Sequence, residues 1–255
     1  MSVQVTGLRV TSGKATLVDG VNLDIEKGTW CTIIGPNGAG KTTLVTAMAG
    51  LRPHHQGQVT IDGTDIHSLG ERERARRLAF VPQHPTVPAG MSVLEYVMLG
   101  RTASHGLLRA PSSEDRCIVD GVLERLHLTT ERHREVSSLS GGERQRAVLA
   151  RTFAQGTTVV ILDEPTTGLD VRHQMEVLEL LKKEVDECQL TVIATLHDLT
   201  LAGVFADQLI LMAKGQVLTR GQSADVLRSP ALSEAYDMQL RVLSVDGADV
   251  VIPVR

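Results

Sequence analysis

At 255 residues, with 26 Lys plus Arg against 30 Asp plus Glu and a net charge of −4, the chain is long enough for a substantial core. That charge balance excludes the basic surface of a nucleic-acid-binding protein. No apolar run approaches the roughly 20 residues that cross a bilayer, Met1-Ser2-Val3-Gln4 has no leader pattern, and Cys31, Cys117 and Cys188 are scattered as in a reduced cytosolic protein. A soluble intracellular protein is expected, with any membrane role left to a partner chain.

Residues 3–28 alternate apolar and polar, with turn signals at Ser12-Gly13-Lys14 and Glu26-Lys27-Gly28, which predicts two or three antiparallel strands. Residues 29–34 read as a buried strand. Gly35-Pro36-Asn37-Gly38-Ala39-Gly40-Lys41-Thr42, followed by Thr43, fits G-x-x-x-x-G-K-[ST]. Helical spacing then runs from 41 to 51, with Leu44, Ala47, Met48 and Leu51 on one face. A loop that holds no phosphate can match such a pattern by chance, but the strand before and helix after argue against that here. Successive N–H groups in a glycine-rich loop turn inward on an anion, helped by the positive end of the following helix. Lys41 is then the residue that reaches the outer phosphates, and the Thr42 hydroxyl sits on Mg²⁺.

Val59-Thr60-Ile61 leading into Asp62-Gly63 predicts a hairpin. The charge run Glu71-Arg72-Glu73-Arg74-Ala75-Arg76-Arg77 predicts a solvated helix face. Leu78-Ala79-Phe80-Val81 is a short strand that delivers Gln83 after Pro82. From about 91 to 136 the pattern turns helical. A capping box, Ser92 to Glu95, starts a helix that is expected to end near Gly100. Ser112-Ser113-Glu114-Asp115 opens the next, with Ile118, Val119, Val122, Leu123 and Leu126 at helical spacing. Such an insert inside an α/β chain predicts a subdomain. Thereafter 142–154 reads as helix, 159–162 as strand and 171–187 as an amphipathic helix with Met175, Leu178, Leu181 and Val185 inward. Strands follow at 191–195, 208–212 and 216–219, and a last hairpin turns at Asp246-Gly247.

Val159-Val160-Ile161-Leu162-Asp163-Glu164 is an apolar strand ending in two carboxylates, at the sheet edge where ligands of α/β folds bind. Read alone, the two acids could equally belong to a turn or cap. With a phosphate loop upstream, Asp163 is positioned to help hold Mg²⁺, and Glu164 to orient and deprotonate a water attacking the γ-phosphate. Leu139-Ser140-Gly141-Gly142-Glu143-Arg144-Gln145 makes a second helix N-terminus suited to an anion, although Ser140 and Glu143 also fit an ordinary capping box.

With that last run, nearly the whole chain resembles the nucleotide-binding subunit of an ABC transporter, whose signature sequence it matches. The resemblance implies an α/β fold: a P-loop NTPase core with a mainly parallel sheet, an N-terminal antiparallel β subdomain and a helical subdomain insert. Residues 1–90 and 155–255 would form the core and antiparallel region, and 91–154 the helical subdomain with the signature motif. It further implies a head-to-tail dimer sandwiching two ATP molecules, in which Ser140, Gly141, Gly142 and Glu143 of one copy complete the phosphate loop of the other. Gln83 matches the Q-loop residue on Mg²⁺ or the attacking water, His197 the switch histidine at the γ-phosphate, and Asp170, in Gly168-Leu169-Asp170, the D-loop. Ser12 stands where the family usually carries an adenine-stacking aromatic, so weak base selection is expected.

Finer features are similar to the ATPases of importers for iron–siderophore, haem and vitamin B12. They are Gly100-Arg101, Pro111-Ser112-Ser113-Glu114-Asp115-Arg116, Asp170-Val171-Arg172-His173-Gln174, Leu196-His197-Asp198-Leu199-Thr200-Leu201-Ala202 and the ending from 236 to 253. Thr102-Ala103-Ser104-His105 departs from the Pro-His common there. The resemblance implies ATP hydrolysis driving uptake of a metal chelate, a ferric siderophore first, with haem or vitamin B12 as alternatives. Implied partners are two polytopic permease subunits and, indirectly, an extracytoplasmic substrate-binding protein, with the chain on the cytoplasmic face of the membrane. A soluble ABC ATPase acting on cytosolic assemblies is the reading from another class. A regulatory GTPase lacks support, because no Asn-Lys-x-Asp motif is present.

Overall fold

A computed structural model describes residues 3–54, 56–105 and 110–254; Met1 and Ser2, part of the leader reading, lie outside them. Strands β1 (Val3–Ser12) and β2 (Ala15–Ile25) form the predicted antiparallel hairpin. β3 (Trp30–Ile34) is buried at every residue and runs into the glycine loop, which opens α1 (Lys41–Met48). β4 (Gln56–Ile61) and β5 (Thr64–Asp65) fold around Asp62-Gly63, and α2 (Glu71–Ala75) precedes β6 (Leu78–Val81). Four helices follow: α3 (Val93–Met98), α4 (Thr102–His105), α5 (Ser113–Arg125) and α6 (Gly141–Ala154). Then come β7 (Val159–Asp163), α7 (Val171–Cys188), β8 (Thr191–Thr195), α8 (Leu199–Phe205), β9 (Gln208–Ala213) and β10 (Gln216–Gln222). The described chain closes with α9 (Ser223–Leu227), α10 (Pro230–Tyr236), β11 (Leu240–Val245) and β12 (Ala248–Pro253).

The main sheet has the order β10-β9-β3-β8-β7-β6, parallel throughout except for the β9–β10 pair. Side chains alternate across a strand, so each strand feeds two cores. Trp30, Ile34, Val160, Leu162, Val192 and Ala194 face the helical side with α3, α5, α6 and α7. Cys31, Ile33, Val159, Ile161 and Ile193 face α1 and the antiparallel sheet β2-β1-β4-β5. Burial pushes the Cys31 thiol up to about 12, which leaves it a small, unreactive core residue. Because β3, β6, β7 and β8 run in one direction, their C-terminal ends deliver Gly35, Gln83, Asp163-Glu164 and His197 to a single edge.

Three expectations need correction. Leu51 is 55% exposed rather than part of the α1 face. The helix stops at Met48, where Ala49 N–H bonds Val45 O and Gly50 N–H folds back on Ala47 O, so Leu51 falls in the turn beyond it. The helix predicted to end near Gly100 instead continues through a tight 3₁₀ turn at Leu99–Arg101 into α4. Arg101 sets that path, bonding Asp115 Oδ1 at 2.9 Å and Ala154 O at 2.8 Å, and so ties the junction to α5 and α6. Finally, the charge run is not merely solvated. Arg72 and Arg76 both donate to the carbonyls of Ala103 and Ser104, at 3.0 to 3.2 Å, joining α2 to α4.

Candidate functional site

The glycine loop is held in shape before any ligand arrives. Gly35 has φ +149°, and a Cβ there would stand 2.1 Å from Met212 O, so only glycine fits between the loop and β9. Ala39 N–H bonds Pro36 O at 3.2 Å, and Ala39 O accepts from Gly215 N in the β9–β10 turn at 3.0 Å. Lys41 is 6% exposed, and its ammonium donates to Gly35 O at 2.7 Å and Pro36 O at 3.2 Å. Burial lowers its pKa, opposed by the charges of Glu164 and Asp163. The Lys41 cation thus lies on the carbonyls of its own loop.

Opposite the loop stand the two acids at the end of β7. Asp163 Oδ1 accepts from Thr42 Oγ1 at 3.3 Å and from Thr195 Oγ1 at 2.7 Å. Glu164 is 8% exposed and has φ +50°, a conformation that costs a non-glycine residue on the order of 1 kcal/mol. It is held there by its own N–H on Thr195 Oγ1 at 2.8 Å. Its carboxylate accepts from Gln83 Nε2, from Thr167 Oγ1 at 2.9 Å, and meets His197 Nε2. Thus Gln83, Glu164 and His197, drawn from the ends of three strands, share one carboxylate. A strained backbone and three converging polar groups meet at this end of the cleft.

The cleft encloses about 510 Å³ and is lined by Leu17, residues 37–43, Gln83, Glu164 and His197. Leu17 is the residue that β2 contributes to it, and Ser12, at the end of β1, is not among the lining residues. Sequence reasoning singles out neither Thr195 nor Thr167, although both touch the acids. A threonine at the C-terminal end of a buried strand, just before Leu196-His197, is the signal for the first. The Pro165-Thr166-Thr167-Gly168 turn directly after the acids is the signal for the second.

Residues 140–143 do not enter this cleft among the described residues. Ser140 N-caps α6 in a full capping box: Glu143 Oε2 accepts from Ser140 N–H at 2.8 Å, and Ser140 Oγ from Glu143 N–H at 3.3 Å. The Ser140 backbone N–H first and its hydroxyl next, with smaller help from Arg134 and Arg146, hold the Glu143 carboxyl below the usual range. Ser140 and Gly141 are exposed. Gly142 packs flat on His173, where a Cβ would stand 2.1 Å from the ring. That ring meets Asp170 Oδ1 through Nδ1 at 2.7 Å, and Asp170 caps α7 by accepting from His173 N–H at 2.9 Å. The two exposed caps are therefore one surface, joined by His173.

The sequence pattern of the ABC transporter family (ABC_tran) matches residues 18–167, more than half of the chain. The chain is 38% identical over 242 residues to a cobalamin import ATP-binding protein, BtuD, of Halobacterium salinarum, covering 95% of this chain but 60% of that relative's length. It is 34% identical over 243 residues to the iron(3+)-hydroxamate import ATP-binding protein FhuC of Bacillus subtilis, covering 95% of this chain and 90% of FhuC. A solved inward-facing conformation of a putative metal-chelate type ABC transporter superposes with a TM-score of 0.87 at 27% identity, covering 100% of this chain and 98% of that one.

Proposed function

The chain belongs to the ABC transporter family, and on that premise we propose that it is the ATP-binding and ATP-hydrolysing subunit of a metal-chelate importer, with a ferric siderophore as first candidate cargo. The observation that supports this most is the Glu164 carboxylate gathered between Gln83, Thr167 and His197 across a cleft from Lys41. In this reading residues 35–43 cradle the phosphates of ATP, and Lys41 leaves the carbonyls of Gly35 and Pro36 for the outer phosphates. Glu164 orients the attacking water and takes its proton, while His197 and Gln83 fix water and γ-phosphate. Thr42, Asp163 and Gln83 would hold Mg²⁺. The Thr42 hydroxyl and Asp163 carboxylate converge to 3.3 Å, and hard oxygen donors of this kind suit that ion. When bound, Mg²⁺ neutralises charge on the phosphate oxygens.

The cap built from Ser140, Gly141, Gly142 and Glu143, exposed at Ser140 and Gly141, then serves with Asp170 a second copy of the chain, closing over that copy's ATP. Binding of ATP glues the two copies together, and hydrolysis releases them. No helix among the described residues is long and apolar enough to cross a membrane. The chain accordingly works at the cytoplasmic face of the membrane on two polytopic permease subunits, which an extracytoplasmic binding protein supplies. The names of the relatives divide between hydroxamate-bound iron and cobalamin, which keeps vitamin B12, and haem with it, as the other cargoes of the same chemical kind. The test is reconstitution with a candidate metal-chelate permease, in liposomes holding ATP. Uptake of ferric siderophore that is lost with Glu164→Gln supports the proposal. Uptake only of cobalamin or haem changes the cargo, and failure to associate with any permease favours a soluble ABC ATPase.

A further inference from the structure

The phosphate cleft receives support from the far end of the chain. Tyr236, the last residue of α10, accepts on its hydroxyl a 3.1 Å hydrogen bond from the N–H of Gly35. The two residues are 201 positions apart in sequence. Gly35 is buried, and glycine is the residue least able to hold a peptide orientation by itself. Yet its carbonyl is the nearer of the two that carry Lys41 Nζ. Gly35 is thus fixed on both sides, its N–H by Tyr236 and its C=O by Lys41. Burial pushes the Tyr236 hydroxyl up to about 12, so it stays protonated at neutral pH.

The hairpin after α10 reaches the opposite wall. Val251 N–H, in β12, donates to Thr200 Oγ1 at 3.1 Å, in the first turn of α8 and three residues past His197. The same hairpin is tied down by Arg228 on Asp249 at 2.6 Å, and Tyr236, Leu240, Val242 and Val251 pack on the core of the helical side. One C-terminal segment therefore touches the glycine loop and the root of the His197 loop.

We propose that residues 230–253 brace the cleft, with Tyr236 a positioning residue for the phosphate loop through Gly35 and Thr200 a positioning residue for the start of α8. This rests on the ATPase reading of the cleft. Without the Tyr236 hydroxyl, the buried Gly35 N–H loses its partner. The Ile34–Gly35 peptide then turns to find another, and the change in the Gly35 torsion angles displaces the next peptide, whose carbonyl carries Lys41.

The experiment uses the full chain and two single-atom-group changes. ATP affinity is measured by calorimetry in magnesium-free buffer, and steady-state ATPase activity with magnesium. Tyr236→Phe should raise both Kd and KM for ATP roughly fivefold, the size of one net hydrogen bond, with little change in kcat. Thr200→Val should lower kcat by a similar factor with little change in KM, and Thr200→Ser should restore it. A loss of stability alone does not split KM from kcat in this way. Unchanged ATP affinity in Tyr236→Phe, or a fall in Tm alone in both variants, would overturn the brace. If the unaltered chain binds no nucleotide, the ATPase reading fails and takes the brace with it; if it binds ATP as well as Tyr236→Phe does, only the brace fails.

Discussion

The cleft around Lys41 and the cap around Ser140 both gather polar groups at a helix N-terminus, but they are finished to different degrees. In the cleft each working side chain has a partner, for Lys41 within its own loop and for the two acids on other elements as well. Lys41 lies on two loop carbonyls, Asp163 takes hydroxyls from α1 and β8, and Glu164 draws on Gln83, Thr167 and His197. Around Ser140 the polar side chains are satisfied within the cap itself, and the surface faces outward. One region is a preorganised pocket, which is where electrostatic catalysis is strongest. The other is an outward-facing cap that, among the described residues, does not enter the cleft of its own chain. On the proposed reading, a single chain builds most of an ATP site and, on another face, the part that completes the site of a second copy.

If that division holds, substitutions in the two regions should separate chemistry, nucleotide binding and closure. The largest effect is expected from Glu164→Gln, which removes the base while keeping shape; kcat should fall by about 10²- to 10⁴-fold with ATP affinity retained, as read by phosphate release and calorimetry. Lys41→Ala removes a charge-assisted contact to phosphate and should weaken ATP binding itself by roughly 10- to 100-fold. On the other face, Gly142→Ala forces a methyl group into the His173 ring. It should lower ATPase activity about tenfold or more, since such overpacking costs roughly 1–3 kcal/mol. ATP binding to the isolated chain should not change. A parallel loss of nucleotide affinity would show that the two regions are one site within a chain. The smallest effect is expected from Thr195→Val, which strips one hydroxyl from Asp163 and from the Glu164 N–H. It should lower stability by about 1–3 kcal/mol, because a buried donor is left unpaired, with Tm as the readout.

Much of this division is legible in sequence because it rests on local patterns. The glycine loop, the strand ending in Asp163-Glu164 and the Ser140–Glu143 box each need only a few consecutive residues to declare their geometry. Periodicity likewise places the amphipathic face of α7 and the buried strands. What escapes is decided by contacts far apart in the chain. Nothing near Tyr236 points to Gly35, and the position of Thr195 at its strand end does not by itself reveal that it bonds both acids at the end of the neighbouring strand. Arg72 and Arg76 look like solvated charges until α4 supplies carbonyls for them. Helix ends are the other weak point. A 3₁₀ turn carries the chain past Gly100, and the backward hydrogen bonds of Ala49 and Gly50 end α1 before Leu51.

The central claim is that the cleft of one chain is closed by the Ser140 surface of another. It is tested most directly by the solution mass of the Glu164→Gln protein, measured by light scattering with magnesium and ATP, with magnesium and ADP, and without nucleotide. The account predicts twice the monomer mass with ATP alone, and monomer again when Ser140 and Gly142 are both replaced by bulky residues. A protein that binds ATP tightly yet keeps the monomer mass at concentrations well above its nucleotide Kd would contradict it.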